Sequence, residues 1–148
     1  MDLAVKWRFF KHLSRGGDDE AEKLYRWHIE QRSGARIDAS IPTDKWKLSL
    51  DDYVRSARNL YDSMSKNGFL ASGAVPVDID GELLDGSHRV ACALALCLSK
   101  VSVMRLTRKA WAPSWDLTWF ANHGMTRPDM LRLLADFDTM RGSDIYRS

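Results

Sequence analysis

Leu83-Leu84-Asp85-Gly86-Ser87-His88-Arg89-Val90-Ala91 is the stretch that decides the fold. A short apolar run breaks at Asp85-Gly86 and opens at once into an alanine-rich segment with Ala91, Ala93 and Ala95, so a strand passes into a helix through a tight turn. The first turn of a helix leaves amide N–H groups without internal partners and carries the positive end of the macrodipole, which suits it to an anion such as phosphate. Ser87, His88 and Arg89 fall on that turn and offer a hydroxyl, an imidazole and a guanidinium fork to the same anion. The simpler reading is a turn permitted by Gly86, a helix capped by Ser87 and two solvated side chains. The flanks favour a ligand, because a helix start between strands is where α/β proteins commonly bind one.

Upstream of the turn, Val75, Val77 and Ile79 alternate with Pro76, Asp78 and Asp80, a strand period, and Asp80-Gly81 predicts a two-residue hairpin leading into Glu82 to Asp85. Pro76 places that first strand at an edge or at its entry to the sheet. The helix is expected from Ser87 to about Leu98, followed by another strand from Val101 to Leu106. Asp78, Asp80 and Glu82 read as a solvated strand face.

The rest of the chain reads as helical. Asp18 or Asp19 caps a helix to about Arg32, with Gly34 as its stop, and a polar extended stretch containing Pro42 runs from Ala35 to Lys47. Ser49 and Asp52 form a capping-box-like pair ahead of Tyr53, Val54, Ala57, Leu60, Tyr61 and Met64, and Asn67-Gly68 ends that helix. Asp51 and Asp52 are accounted for by cap and dipole roles. Near the C-terminal end, Ser114 is expected to cap a segment bearing Trp115, Trp119 and Phe120, with Gly124 as its stop. Trp115 and Trp119 lie one helical step apart, as a core stripe or as a stacking platform for a base or sugar. Thr126, Pro128 and Asp129 start a last helix; its Asp129, Asp136 and Asp138 oppose a DNA-reading role. At the other end, Trp7, Phe9 and Phe10 among Lys6, Arg8, Lys11 and Arg15 predict a helix docking its aromatic side onto the domain.

Composition agrees with one small domain. The 148 residues are 45% hydrophobic and 28% charged with a formal net charge of +2, so no strong field announces a nucleic acid or a membrane. No run is long enough to span a bilayer or to act as a leader, and a cytoplasmic location is expected. Cys92 and Cys97, five apart on one helix, point about 140° away from each other, which fits reduced, buried packing and no disulfide. Neither has partners at zinc-ligand spacing.

Asp85-Gly86-Ser87-His88-Arg89, with Ala91 one position ahead of the signature's alanine and preceded by Val75-Pro76-Val77-Asp78-Ile79-Asp80-Gly81-Glu82-Leu83-Leu84, resembles the Gly-x-His-Arg-x-x-Ala signature of the sulfiredoxin/ParB-like superfamily over Leu50 to Leu106. The loop is most similar to that of the free-serine-kinase-like members. The resemblance implies an α/β (α+β) fold with a small mixed sheet and flanking helices, in one domain. Residues 1–48 would form an N-terminal helical extension, 49–106 the core with the phosphate-binding turn, and 107–148 C-terminal helices. It also implies that Gly86, Ser87, His88 and Arg89 contact the phosphates of ATP or another nucleotide. Sulfiredoxins place a reactive cysteine where this chain has Ser87, and a hydroxyl does not perform that thiol chemistry. Partition ParB proteins carry a Gly-Glu-Arg-Arg type motif and a helical DNA-binding region larger than the segment after Leu106.

The expected activity is therefore an ATP-dependent, kinase-like transfer of a phosphoryl group to a hydroxyl of a small molecule or glycan. Asp85 is expected to hold Mg²⁺ or orient the acceptor, and His88 to contact a phosphate or act as an acid. The alternatives are a nucleotide-binding switch or accessory module without chemistry and, with less support, a ParB-like DNA-binding protein.

Overall fold

A computed structural model describes residues 1–16, 18–33, 49–111 and 114–142. Six α-helices and two short strands follow one another among these residues: α1 (Asp2–Arg15), α2 (Asp19–Arg32), α3 (Leu50–Asn67), β1 (Val75–Val77), α4 (Ser87–Ala95), β2 (Val103–Arg105), α5 (Leu117–Asn122) and α6 (Arg127–Arg141). Local chemistry sets most helix starts. Asp18 accepts from the Glu20 amide, Ser49 from that of Asp52, Asp116 from that of Trp119 and Thr126 from that of Asp129, each satisfying an amide that the first turn leaves open. Asp116, not the expected Ser114, is the cap of α5, so Trp115 precedes that helix while Trp119 lies on it. The Gly34 stop and the stretch from Ala35 to Lys47 lie outside the described residues.

α1 is the centre of the packing. Its fully buried Ala4, Val5, Phe9 and Phe10 meet α2, α3, α4 and α6, with the most extensive contact on α4. That contact is close because Ala91, Cys92, Ala93 and Ala95 of α4 are small and buried. Phe9 stacks on Tyr25 of α2 with centroids 4.4 Å apart, and Phe120, Leu133 and Met140 extend the core through α5 and α6. Arg8 ties α1 to Asp136 of α6 at 3.0 Å. The segment expected as an N-terminal extension thus supplies the core itself, because a helix with aromatic side chains needs faces on several sides to bury them.

The two strands pair in parallel, Val75 opposite Val103 and Val77 opposite Arg105, with α4 making the crossover that a parallel pair requires. The second arm of the expected hairpin shrinks to one antiparallel bridge, Val77 to Leu83. Pro76 accepts from the Leu84 amide at 3.0 Å, and the chain then turns into α4 too soon for a ladder to grow. Asp78 is not on a solvated face. It is fully buried, and its carboxylate accepts from the amides of Asp80 and Glu82, both at 2.9 Å, holding the turn. Burial opposes its ionisation, but the amides of Glu82, Ala110 and Asp80 outweigh that and hold the carboxyl below its usual range. β2 is shorter than expected and its three residues are all exposed, α4 stops at Ala95, and Cys97 lies exposed at φ 55° beyond it while Cys92 is buried. Both cysteines are free. No described helix is long and apolar enough to cross a membrane.

Candidate functional site

The turn that opens α4 is built on Gly86. Its φ of 80° is left-handed, and a Cβ there would sit 2.5 Å from Val75 Cγ1 and 2.8 Å from Arg89 Nη2, so only glycine fits. The Asp85 carboxylate folds back to accept from the Gly86 amide at 2.6 Å. No side chain caps the first turn of α4.

Behind Ser87 lies a buried line of polar groups contributed by three helices. Lys6 Nζ of α1 donates to Ser87 Oγ at 2.5 Å and to Asp2 Oδ2 at 2.6 Å, and Asp2 Oδ1 is 2.7 Å from His28 Nε2 of α2. Lys6 and His28 are fully buried. Burial drives the Lys6 ammonium down to about 8, against the pull of Asp2. For Asp2, burial opposes ionisation, yet Lys6 and His28 overcome it and hold the carboxyl well below the usual range. Burial lowers His28 too, with Asp2 opposing. The His28 ring stacks on Phe120 and meets the Trp119 and Trp115 rings edge-on, and among the described residues its Nδ1 has no hydrogen-bond partner.

Ser87 and Asp85 face a cavity of about 370 Å³ that is also lined by Arg32, Trp115, Asp116 and Phe137. The Arg32 guanidinium lies over the Trp115 ring, 5.4 Å from its centroid, and 3.8 Å from Asp2 Oδ1. The space therefore combines an uncapped helix start, a hydroxyl backed by an ammonium, a guanidinium, the carboxylates of Asp2, Asp85 and Asp116 and two aromatic faces.

Of the residues expected at the turn, the structure brings Asp85, Ser87 and the Gly86 backbone together and sends the others elsewhere. His88 Nε2 is 2.8 Å from the Tyr25 hydroxyl, its ring edge-on to Tyr25, and His88 does not line the cavity. Arg89 donates to the carbonyl oxygens of Gly73 and Ala74 and lines a separate space with Met64 and Gly73. The three side chains expected on one anion face different surroundings, successive helix residues being rotated by about 100°. Lys6 and Arg32 supply positive charge near the cavity instead. The Asp2–Lys6 spacing of four was legible as a helical ion pair, but nothing local marks it as buried.

The other acids are committed elsewhere: Asp80 pairs with Lys109 at 3.0 Å, Asp51 with Arg26 at 2.7 Å, and Asp52 with Arg55. Among the described residues no group of three or more His, Cys, Asp or Glu side chains could hold a metal ion. Mg²⁺ needs less from a protein when phosphates complete its shell, and the Asp85 and Asp116 carboxylates on one cavity suit that use.

Fold and site together define a helix-dominated α/β protein with a two-stranded parallel sheet and a cavity of mixed polar and apolar lining at the start of its crossover helix. No family model matches the chain, and neither does any curated protein or solved structure.

Proposed function

We propose that this chain is a nucleotide-binding phosphotransferase with a ParB/sulfiredoxin-like core, moving a phosphoryl group from ATP to a hydroxyl of a small molecule or glycan. The observation that carries this reading is the cavity in which the start of α4 meets Arg32, Trp115 and the carboxylates of Asp2, Asp85 and Asp116. The helix start and Arg32 suit phosphate oxygens, and Trp115 and Phe137 offer faces on which a base can stack. Asp85 and Asp116 would hold Mg²⁺, which when bound neutralises charge on the phosphates. Ser87, fixed by Lys6, orients what the helix start binds.

A nucleotide-binding module without turnover is the second reading. It is favoured by His88, the expected acid, being engaged by Tyr25 outside the cavity.

Thermal-shift measurements with ATP, ADP, CTP and GTP, with and without Mg²⁺, test both. A bound nucleotide at a hundredfold excess over Kd stabilises the fold by about 2.7 kcal/mol. A Mg²⁺-dependent shift with turnover that disappears in Asp85→Asn is the expected result. A shift without turnover on any hydroxyl acceptor selects the second reading, and no shift with any nucleotide removes both.

A further inference from the structure

The geometry points to Ser87 as a covalent phosphoryl acceptor whose proton passes to Lys6, so that phosphate would leave the nucleotide for the protein before reaching any other hydroxyl. This rests on the phosphotransferase reading and adds an intermediate to it. Three observations carry it. Ser87 lines the cavity, whereas the two side chains that follow it are held by Tyr25 and Gly73. Its Oγ is 2.5 Å from a lysine nitrogen that is itself fully buried. That nitrogen is fixed on its far side by Asp2, which His28 fixes in turn, giving the order of nucleophile, base and orienting group that activates hydroxyls generally.

A lysine held only for packing or charge would be well served by Asp2 alone, and burying an ammonium is costly. Here the cost has a chemical consequence. Burial brings the proton affinity of Lys6 down towards neutrality, with Asp2 opposing, Arg32 adding to the fall and Asp85 countering it. A neutral amine at Nζ accepts a proton where the ammonium only donates one. Asp2 then stabilises the ammonium that forms. It and His28 are positioning residues.

The step balances as follows. Ser87 Oγ forms a bond to the γ-phosphorus, the bond from that phosphorus to the β,γ-bridging oxygen breaks, and the nucleoside diphosphate leaves with that electron pair. The Ser87 proton moves to neutral Lys6. In the return step an acceptor hydroxyl attacks the phosphoserine, Ser87 Oγ leaves and recovers a proton from Lys6, and the acceptor proton goes to water. The amides at the start of α4 face the oxygens of the transferred group.

The test incubates the full chain with ATP and Mg²⁺, and separately with acetyl phosphate, a donor without a nucleotide, followed by intact-mass measurement and peptide mapping. The expected result is one added phosphoryl group on Ser87 from either donor, and none in Ser87→Ala. Lys6→Met should slow the labelling by about a hundredfold. Because that variant strands the buried Asp2 carboxylate and risks the fold, the wild-type mapping decides the matter by itself. A protein that shifts its melting temperature with ATP but leaves Ser87 unmodified by both donors overturns the inference and keeps the nucleotide reading. Labelling of Ser87 by acetyl phosphate without any nucleotide-induced shift keeps Ser87 as the acceptor and overturns the nucleotide as its donor. Phosphate on a different residue, or labelling undiminished in Ser87→Ala, also overturns it.

Discussion

Lys6 and Gly86 show how single residues set the properties of the site. Lys6 has its ammonium depressed from 10.5 to about 8, so between those values the unfolded chain holds a proton that the folded protein has released. Stability therefore rises with pH from about 8. Burial pushes the Cys92 thiol the other way, from 9.0 to about 12, so above pH 9 the unfolded chain loses a proton that the folded protein keeps, and stability falls. The urea midpoint is expected to climb from pH 7.5 to 9 and then level off; a midpoint that falls across the first interval contradicts the burial of Lys6. At acid pH the depressed Asp2 carboxyl contributes stability that is present above the ordinary aspartate range and is lost as pH falls below it. Gly86 combines a left-handed φ with the near contact to Val75, whereas Gly124 has φ 88° and open space around it. Gly124→Ala should cost on the order of 1–3 kcal/mol from backbone strain alone, and Gly86→Ala measurably more in the same denaturation experiment.

At the scale of the element, α4 distributes its first turn over three surroundings. Ser87 faces the cavity and Lys6, His88 meets α2, and Arg89 ties the helix to the chain entering β1. The arginines of the cavity and of the turn consequently separate stability from binding. Arg89→Ala removes a charged donor from the carbonyl oxygens of Gly73 and Ala74 and should destabilise by about 1.5–3 kcal/mol while leaving the nucleotide-induced shift intact. Arg32→Ala should weaken nucleotide binding by roughly tenfold to a hundredfold with a smaller loss of stability. Calorimetric binding and urea unfolding of both variants check this; the opposite pattern would return the phosphate contact to Arg89. The junction from Asp85 to Ser87 was legible in the sequence because a turn glycine and a helix start act over neighbouring residues. The bearings of His88 and Arg89 were not, because they depend on what α2 and the segment before β1 place around the helix.

For the whole molecule, α1 is the hub, and Phe10 is fully buried in it beside Phe9, with ring centroids 5.7 Å apart. Phe10→Ala should cost about 3–5 kcal/mol, read as a lower urea midpoint with one cooperative transition for all helices. Separate transitions for α1 and the βαβ unit would mean that the helix is an attachment after all. Taken by itself, the sequence determined the starts of α2, α3 and α6, the strand–helix–strand order around α4 and the tight turn at Gly86, since caps, glycine and hydrophobic period are read within a few residues. Only the tertiary structure decided that Lys6 is buried against Ser87, 81 residues away, that His88 meets Tyr25 across 63, and that Asp78 lies inside its turn. Those contacts depend on how helices pack, and the charge pattern of a segment does not state which of its charges will be withdrawn from water.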